Sequence, residues 1–564
     1  MAVATALHGV GHHDHIHPEP TTFIGKYIFS LDAKVIGVQY MIAGLLFFIT
    51  SGLLAEVVRI QLLTPKGTIL SNDAYNGVYS LHGSGMVWMV IIPLVTGGFG
   101  NYVMPLMIGA RDVAFPWLNL LSFWLYPVAG VILFSSFLIG APDAGWTEYP
   151  PISVQGPAGT NLWCVAIFLI GVSSTMTGIN FMVTILKMRA PGMTFTRMPL
   201  FVWGQLATAA LNMIATTALA AALLALFLER VFHVPFYDPS RGGSPLLWQH
   251  MFWFYSHPAV YIMILPTFGM VSEIFPTFAR KPIFGYKMIA FSTVAIALLG
   301  FMVWAHHMFT SGMAPWLQIP FMLLTMVIAV PTGIKIFSWL ATLWGGKIHF
   351  APAMLFAMGF IAVFTFGGVT GIFLSAVPTD LHEHGTYFVV AHIHYVLFGG
   401  SMFGLFAGLY YWWPKITGRM MSEALGKWHF WLTFLSFNVT FLPMHWLGLL
   451  GMPRRVAQYR PEFQFWNDVA SVGSFVLAAS TLLLIYNMVW SLLKGPKAGP
   501  NPWKARTLEW TISSPPPYYN FKTIPAVLKA PYNFGEPLPY IGIEYDTAYN
   551  EANSAAKRPA PATT

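Results

Sequence analysis

The sequence predicts an all-α integral membrane protein, a bundle of twelve transmembrane helices, and three observations carry that reading. Of 564 residues, 56% are hydrophobic and only 9% charged, where a soluble globular surface needs roughly a quarter charged. Apolar windows of about 20 residues, the length that crosses a hydrocarbon core, recur throughout. Inside those windows fall six histidines, His82, His257, His306, His307, His392 and His394, which are costly to leave unpaired in lipid. A neutral imidazole is a good ligand for iron and copper, so buried metals are the most economical reason for them. Isolated histidines satisfied by backbone carbonyls would explain one or two, but not the adjacent and alternating pairs.

The predicted spans run roughly 35–60, 78–103, 118–140, 161–187, 201–228, 248–274, 285–309, 317–344, 352–376, 386–413, 428–451 and 468–493. Span two holds His82, span six His257, span seven ends in His306 and His307, and span ten holds His392 and His394. Residues 1–30 read as an N-terminal tail, 31–495 as the membrane domain, and 496–564 as an extended tail whose Ser513 to Pro517 run, SSPPP, is too proline-rich to span. The histidine-rich stretch HGVGHHDHIHPEP reads as a solvated tail and lacks the apolar run of a signal peptide.

The net charge of +8 does not point to nucleic acid, because the basic residues sit in alternate loops: Lys187, Arg189 and Arg197, then Arg280, Lys281 and Lys287, then Lys415, Arg419 and Lys427. The intervening loops carry Asp143 and Glu148, then Asp380 and Glu383. The positive-inside rule makes the basic set, and with it both termini, cytoplasmic. Arg454 and Arg455 break the pattern on the outer side. Cys164 is the only cysteine, so neither an internal disulfide nor a thiolate metal cluster can be built.

His392 and His394 are two apart, which turns their side chains about 200° from one another on a helix. They must serve two centres, and two haems flanking one helix fit. His306 and His307 are consecutive at a frayed helix end, where both could converge on one ion; His257, before Pro258, supplies a third ligand for a trigonal copper site. Tyr261, four residues after His257, shares its face. His82 is left to pair with one histidine of span ten. Lys335 lies deep in span eight with Thr332 one turn before it, and Ser272 stands three turns beyond Tyr261; together they suggest a polar thread toward the tyrosine. Asn101, Asp112 and Asn119 form a second polar group near the cytoplasmic ends of spans two and three.

From about residue 25 to 495 the chain resembles subunit I of the haem-copper oxygen reductases, the cytochrome c oxidase family. The strings that carry the resemblance are GGFGNYVMPLMIGARDVAFP, HPAVY, VWAHHMFTSGM, PTGIKIFSWLATLWGG, VVAHIHYVLFGG and GMPRR. It implies that His82 and His394 ligate a low-spin haem and His392 a high-spin haem, both of the A type. It implies that His257, His306 and His307 hold the copper called CuB, with Tyr261 covalently joined to His257. Arg59 would bond a peripheral group of the low-spin haem, Arg454 and Arg455 would pair with haem propionates, and Trp253 would pack near the binuclear centre. Lys335, Thr332 and Ser272 would form one proton path, and Asp112, Asn101 and Asn119 the mouth of another.

Two positions depart from the family pattern. Ala259 stands where many relatives have a path-ending glutamate, and Tyr255 with Ser256 matches a subgroup in which a Tyr-Ser pair replaces it. Gly385 follows His384 where relatives commonly have a magnesium-binding aspartate, which counts against a magnesium site at His384. The implied reaction is reduction of dioxygen to water with proton uptake and pumping across a bacterial cytoplasmic membrane. One cysteine cannot make the dinuclear CuA centre, so a subunit II would carry it, fed by cytochrome c, with a subunit III and small subunits as further partners. A nitric oxide reductase lacks the tyrosine and lysine. A quinol oxidase has Arg, Asp, His and Gln where this chain has Thr50, Leu54, Ala74 and Gly77. A transporter would bind no haem, and a di-haem electron carrier no copper.

Overall fold

A computed structural model describes residues 17–543. Most of the histidine-rich stretch and both chain ends lie outside the described residues; His17 lies within them. The helices of the bundle are α1 Ala33–Gln61, α2 Asn72–Ile108, α3 Pro116–Ile139, α4 Gly159–Lys187, α5 Leu200–Phe232 and α6 Pro245–Ala279. They continue with α7 Tyr286–Gly300, α8 Pro315–Leu343, α9 Pro352–Ser375, α10 Tyr387–Thr417, α11 Glu423–Leu449 and α12 Pro461–Lys494. Among the described residues, eleven are long and apolar enough to cross a membrane. The exception is α7: where the sequence predicts a span over 285–309, the helix stops at Gly300 and a separate 3₁₀ turn, Trp304–Met308, carries His306 and His307.

Local chemistry explains several boundaries. Asp32, Ser71 and Ser422 accept hydrogen bonds from Lys34 N, Ala74 N and Leu425 N and so cap α1, α2 and α11. In α2 the hydrogen-bond ladder widens to the π pattern over Gly85–Ile91 and Pro93–Gly98, where Pro93 removes a donor. Helix α6 contains Pro258, Pro266 and Pro276 and is the most enclosed of the spans. Neighbouring helices supply the packing that tolerates such interruptions.

The bundle has two chemically distinct ends. At one lie Asp112, the basic loops and the described part of the C-terminal tail: Arg197 donates to Val527 O at 3.0 Å, and Arg280 to Trp503 O at 2.7 Å. The buried Lys415 Nζ donates to Pro500, Ile512 and Ser513 carbonyls. That tail is mostly non-helical but lies against the bundle, with Leu508, Glu509 and Trp510 buried and a two-residue antiparallel pair, β1 Ala526–Val527 with β2 Tyr540–Ile541. At the other end lie the loops holding Asp143, Glu148, Asp380, Arg454 and Arg455.

Candidate metal centres

Helix α6 and the 3₁₀ turn after α7 bring three imidazoles together. His257 Nδ1 lies 3.2 Å from His307 Nε2, which lies 3.1 Å from His306 Nε2. Lone pairs crowded this closely repel one another unless a cation sits among them, and two edges of just over 3 Å, with all three ligand atoms within 4.8 Å of one another, suit a shared metal bonded at about 2 Å to each nitrogen. The supporting groups are placed accordingly. Thr325 Oγ1 lies 2.9 Å from His306 Nδ1, and the Trp253 indole stacks on the His307 ring with centroids 3.6 Å apart. Trp253 Nε1 in turn donates to the Tyr149 hydroxyl. His257 Nε2 is buried with no hydrogen-bond partner among the described residues, and the Tyr261 ring stands 4.8 Å from the His257 ring. Gly300 admits that tyrosine: a Cβ there would lie 2.8 Å from Tyr261 Cδ2.

The other three histidines lie on α2 and α10. The His82 and His394 rings are within 6° of parallel, with centroids 6.4 Å apart. Two metal–nitrogen bonds of about 2 Å each, plus about 1 Å from each nitrogen to its ring centre, span that gap. His82 Nδ1 bonds Ser51 O at 2.8 Å and His394 Nδ1 bonds Val390 O at 2.7 Å. Donation from Nδ1 fixes the tautomer that leaves Nε2 as a ligand. His392 Nδ1 bonds Gly367 O at 3.0 Å on α9, with the same result. Gly371 lets α9 come that close, since a Cβ there would lie 2.9 Å from His392 Cε1.

Arg59 donates from Nη2 to Asn467 O and Ser471 Oγ, each at 2.7 Å, while its buried Nη1 has no partner among the described residues. That free donor suits a polar substituent on a ring held by His82 and His394. Arg455 Nη1 donates to Ala144 O and Nη2 to Thr147 Oγ1. Burial, with Arg455 beside it, lowers Arg454 to about 10. Among the described residues no carboxylate pairs with either arginine, which leaves two cations for an anionic ligand. His384 Nδ1 bonds Asp380 Oδ2 at 3.0 Å.

The two polar threads are assembled differently. Asn119 Nδ2 donates to Asn101 Oδ1 at 2.8 Å, and Ser122 Oγ, 3.4 Å from the Tyr40 hydroxyl, donates to Asn119 O. Ser173 Oγ then donates to Ser122 O. Asp112 lies apart from this chain, bonded to His17 Nε2 at 2.8 Å. Lys335 Nζ is buried and donates to Thr293 Oγ1 at 2.6 Å and Ile289 O at 2.8 Å, both on α7. Thr332 and Ser272 bond carbonyls of their own helices, Ile328 O and Phe268 O, and Ser272 also accepts from Trp339 Nε1. No direct hydrogen bond links Lys335 to either among the described residues. Tyr255 and Ser256 are buried, and Ser256 Oγ has no partner there. Spacing within one span gave no sign of Thr293, Thr325 or Tyr149, because each meets its partner from another element.

An all-helical membrane bundle that gathers six histidines into one triad and one facing pair, with the sixth beside that pair, defines a membrane metalloprotein. Residues 35–476 match the family described as "Cytochrome C and Quinol oxidase polypeptide I", and the chain belongs to that family. It is 51% identical over 520 residues to the cytochrome c oxidase subunit 1 of Thermostichus vulcanus, covering 92% of this chain and 94% of the relative. It is 53% identical over 510 residues to that of Synechocystis, covering 90% and 92%, and 47% identical over 511 residues to that of Bacillus subtilis, covering 90% and 82%. A solved haem-copper terminal oxidase dimer shares the fold with a TM-score of 0.70 at 18% identity, over 83% of this chain and 85% of that one.

Proposed function

We propose that this chain is the catalytic subunit of a cytochrome c oxidase that reduces dioxygen to water and couples the reaction to proton uptake and pumping. The triad of His257, His306 and His307, with ligand atoms all within 4.8 Å of one another, carries the reading. In our assignment the triad holds one copper, His82 and His394 hold a low-spin haem, and His392 holds a high-spin haem, both haems of the A type. When bound, these metals supply the binding of dioxygen and the electrons that break it. The unpartnered His257 Nε2 supports a covalent link to Tyr261, which would fix the phenol beside the copper ligands. Trp253 holds His307 in place, Arg59 meets a haem substituent, and Arg454 with Arg455 neutralises haem propionates.

Lys335 delivers protons toward Tyr261 past Thr332 and Ser272, and Asp112, Asn101 and Asn119 open the second path, which ends at Tyr255 and Ser256. Residues 31–495 form the membrane domain, with α7 as its twelfth span, flanked by tails at 1–30 and 496–564. The Asp112 end and both termini face the cytoplasm, in the cytoplasmic membrane of a bacterium. A subunit II bearing CuA receives electrons from cytochrome c, a centre that the single buried Cys164 has no means to build; subunit III and small subunits complete the assembly. A magnesium at His384 is disfavoured by Gly385, and His384 Nδ1 is instead bonded to Asp380.

The test is oxygen consumption by the purified complex with reduced cytochrome c. Lys335→Met should keep both haem spectra while turnover falls about 100-fold or more, the scale expected when a proton donor is removed. Normal turnover in that variant would remove Lys335 from the path.

A further inference from the structure

Glu148 stands outside every role given above, and its surroundings are unusual for a carboxyl. It is fully buried, and neither oxygen has a hydrogen-bond partner among the described residues. Its backbone is held at φ 42°, in the left-handed region that a side chain rarely adopts. The turn that imposes this is tied down from several sides. Arg455 donates to Ala144 O and Thr147 Oγ1, Trp248 Nε1 to Thr147 O, and Gly145 N to Ser80 Oγ. The next residue, Tyr149, accepts from Trp253, which stacks on His307. The turn therefore links Trp253, beside the copper-binding imidazoles, to Arg455, and it carries the buried acid between those two attachments.

The titratable groups that act on this carboxyl are Asp143 of the same loop, Arg455, Arg230 of α5, Cys164 of α4 and Tyr79 of α2. Neither arginine pairs with it: Arg230 spends its donors on Asn161 Oδ1 and on the carbonyls of Ser153, Val154, Gly156 and Pro157, and Arg455 on the turn itself. Burial, reinforced by Asp143, raises Glu148 to about 8. The acid form is thus favoured, but only narrowly at neutral pH, and a change of charge nearby is enough to tip it, because Coulomb forces act strongly where water is excluded. A residue needed only to fill space would not be an acid.

We propose that Glu148 is a redox-linked proton site on the outer side of the metal centres, taking a proton when they are reduced and releasing it past half-buried Asp143 when they are oxidised. The inference rests on the oxidase reading. Only a proton moves: the carboxyl O–H bond forms on reduction and breaks on oxidation, and the electrons are those of the oxidase reaction. Reduction removes positive charge near the turn and so favours the neutral acid; oxidation restores it and favours the carboxylate.

The experiment is a reduced-minus-oxidised infrared difference spectrum of the purified complex in water and in D₂O. A carboxylic-acid carbonyl band should gain intensity on reduction, move down in D₂O, vanish in Glu148→Gln and shift in Glu148→Asp. Should Glu148→Gln fail to assemble, ¹³C-glutamate labelling of the unmodified complex must shift the band, and Glu148→Asp must move it again. A band missing, unresponsive to redox state, or persisting in Glu148→Gln overturns the proposal. Visible haem bands with no Glu148-dependent infrared band sink this inference alone; absent haem bands sink the oxidase reading beneath it.

Discussion

At the scale of single residues, the chemistry here is set by who satisfies each buried polar atom. His82, His392 and His394 each spend Nδ1 on a backbone carbonyl, so Nε2 alone is available as a ligand. The imidazoles of His257, His306 and His307 instead turn ring nitrogens toward one another. Buried carboxyls follow the same accounting. Glu509, beneath the C-terminal tail, accepts from Thr507 and Trp412 through one oxygen, its other oxygen has no partner among the described residues, and burial raises it to about 7 from 4.5. A carboxyl whose value is higher folded than unfolded binds its proton more tightly in the folded state. Its stabilising contribution is complete below about pH 4.5 and is lost as pH rises through about 7. The melting temperature should therefore fall between pH 5 and 8, and Glu509→Gln should flatten that slope. An unchanged slope would show that Glu509 titrates as it does in the unfolded chain.

The elements matter because each centre is built across helices. The facing pair needs α2 and α10, the triad needs α6 and the turn after α7, and His392 needs α9 close enough to offer Gly367 O. The contact at Gly371 gives the sharpest test of this packing. In Gly371→Ala the new methyl meets the His392 ring, which must rotate away from its carbonyl. The high-spin haem signal should drop while the low-spin signal persists; retention of both at full intensity would contradict the placement of His392. Spacing along single helices revealed a good deal of this: the roughly 200° separation of His392 and His394 does send the rings to different partners, His82 and Gly367 O, and the consecutive His306 and His307 do converge on His257. The interruption of span seven was legible only as fraying, since an apolar run carries no mark of where a helix must give way to a 3₁₀ turn. Lys335 shows the limit most clearly. Its burial could be inferred from depth in span eight, but its hydrogen bonds to Thr293 and Ile289 O on α7 depend on a helix crossing that no local pattern encodes.

For the whole molecule, composition announced a membrane bundle before any motif was read, and the alternate charging of the loops anticipated its two unlike ends. The tails were less legible. Proline-rich sequence beyond residue 495 excludes a further span, yet it does not reveal that Leu508, Glu509 and Trp510 are buried against the bundle, because that docking uses Lys415 as a donor to tail carbonyls. One end thus gathers the tail, Asp112 and the basic loops, the other gathers Arg454, Arg455 and Glu148, and the six histidines belong to the helices between. On the proposed assignment, proton uptake would lie at the Asp112 end and proton release at the Glu148 end, and a variant at either end should change proton translocation before it changes haem content.

The central claim is that these six histidines enclose two haems and one copper. Quantifying iron, copper and haem in the purified complex, together with its reduced-minus-oxidised visible spectrum, tests it most directly. After subtraction of the copper carried by a subunit II, the account predicts two haems, one six-coordinate and one open to ligands, and a single copper per chain. One haem, or no copper lost when His307 is replaced by alanine, would contradict it.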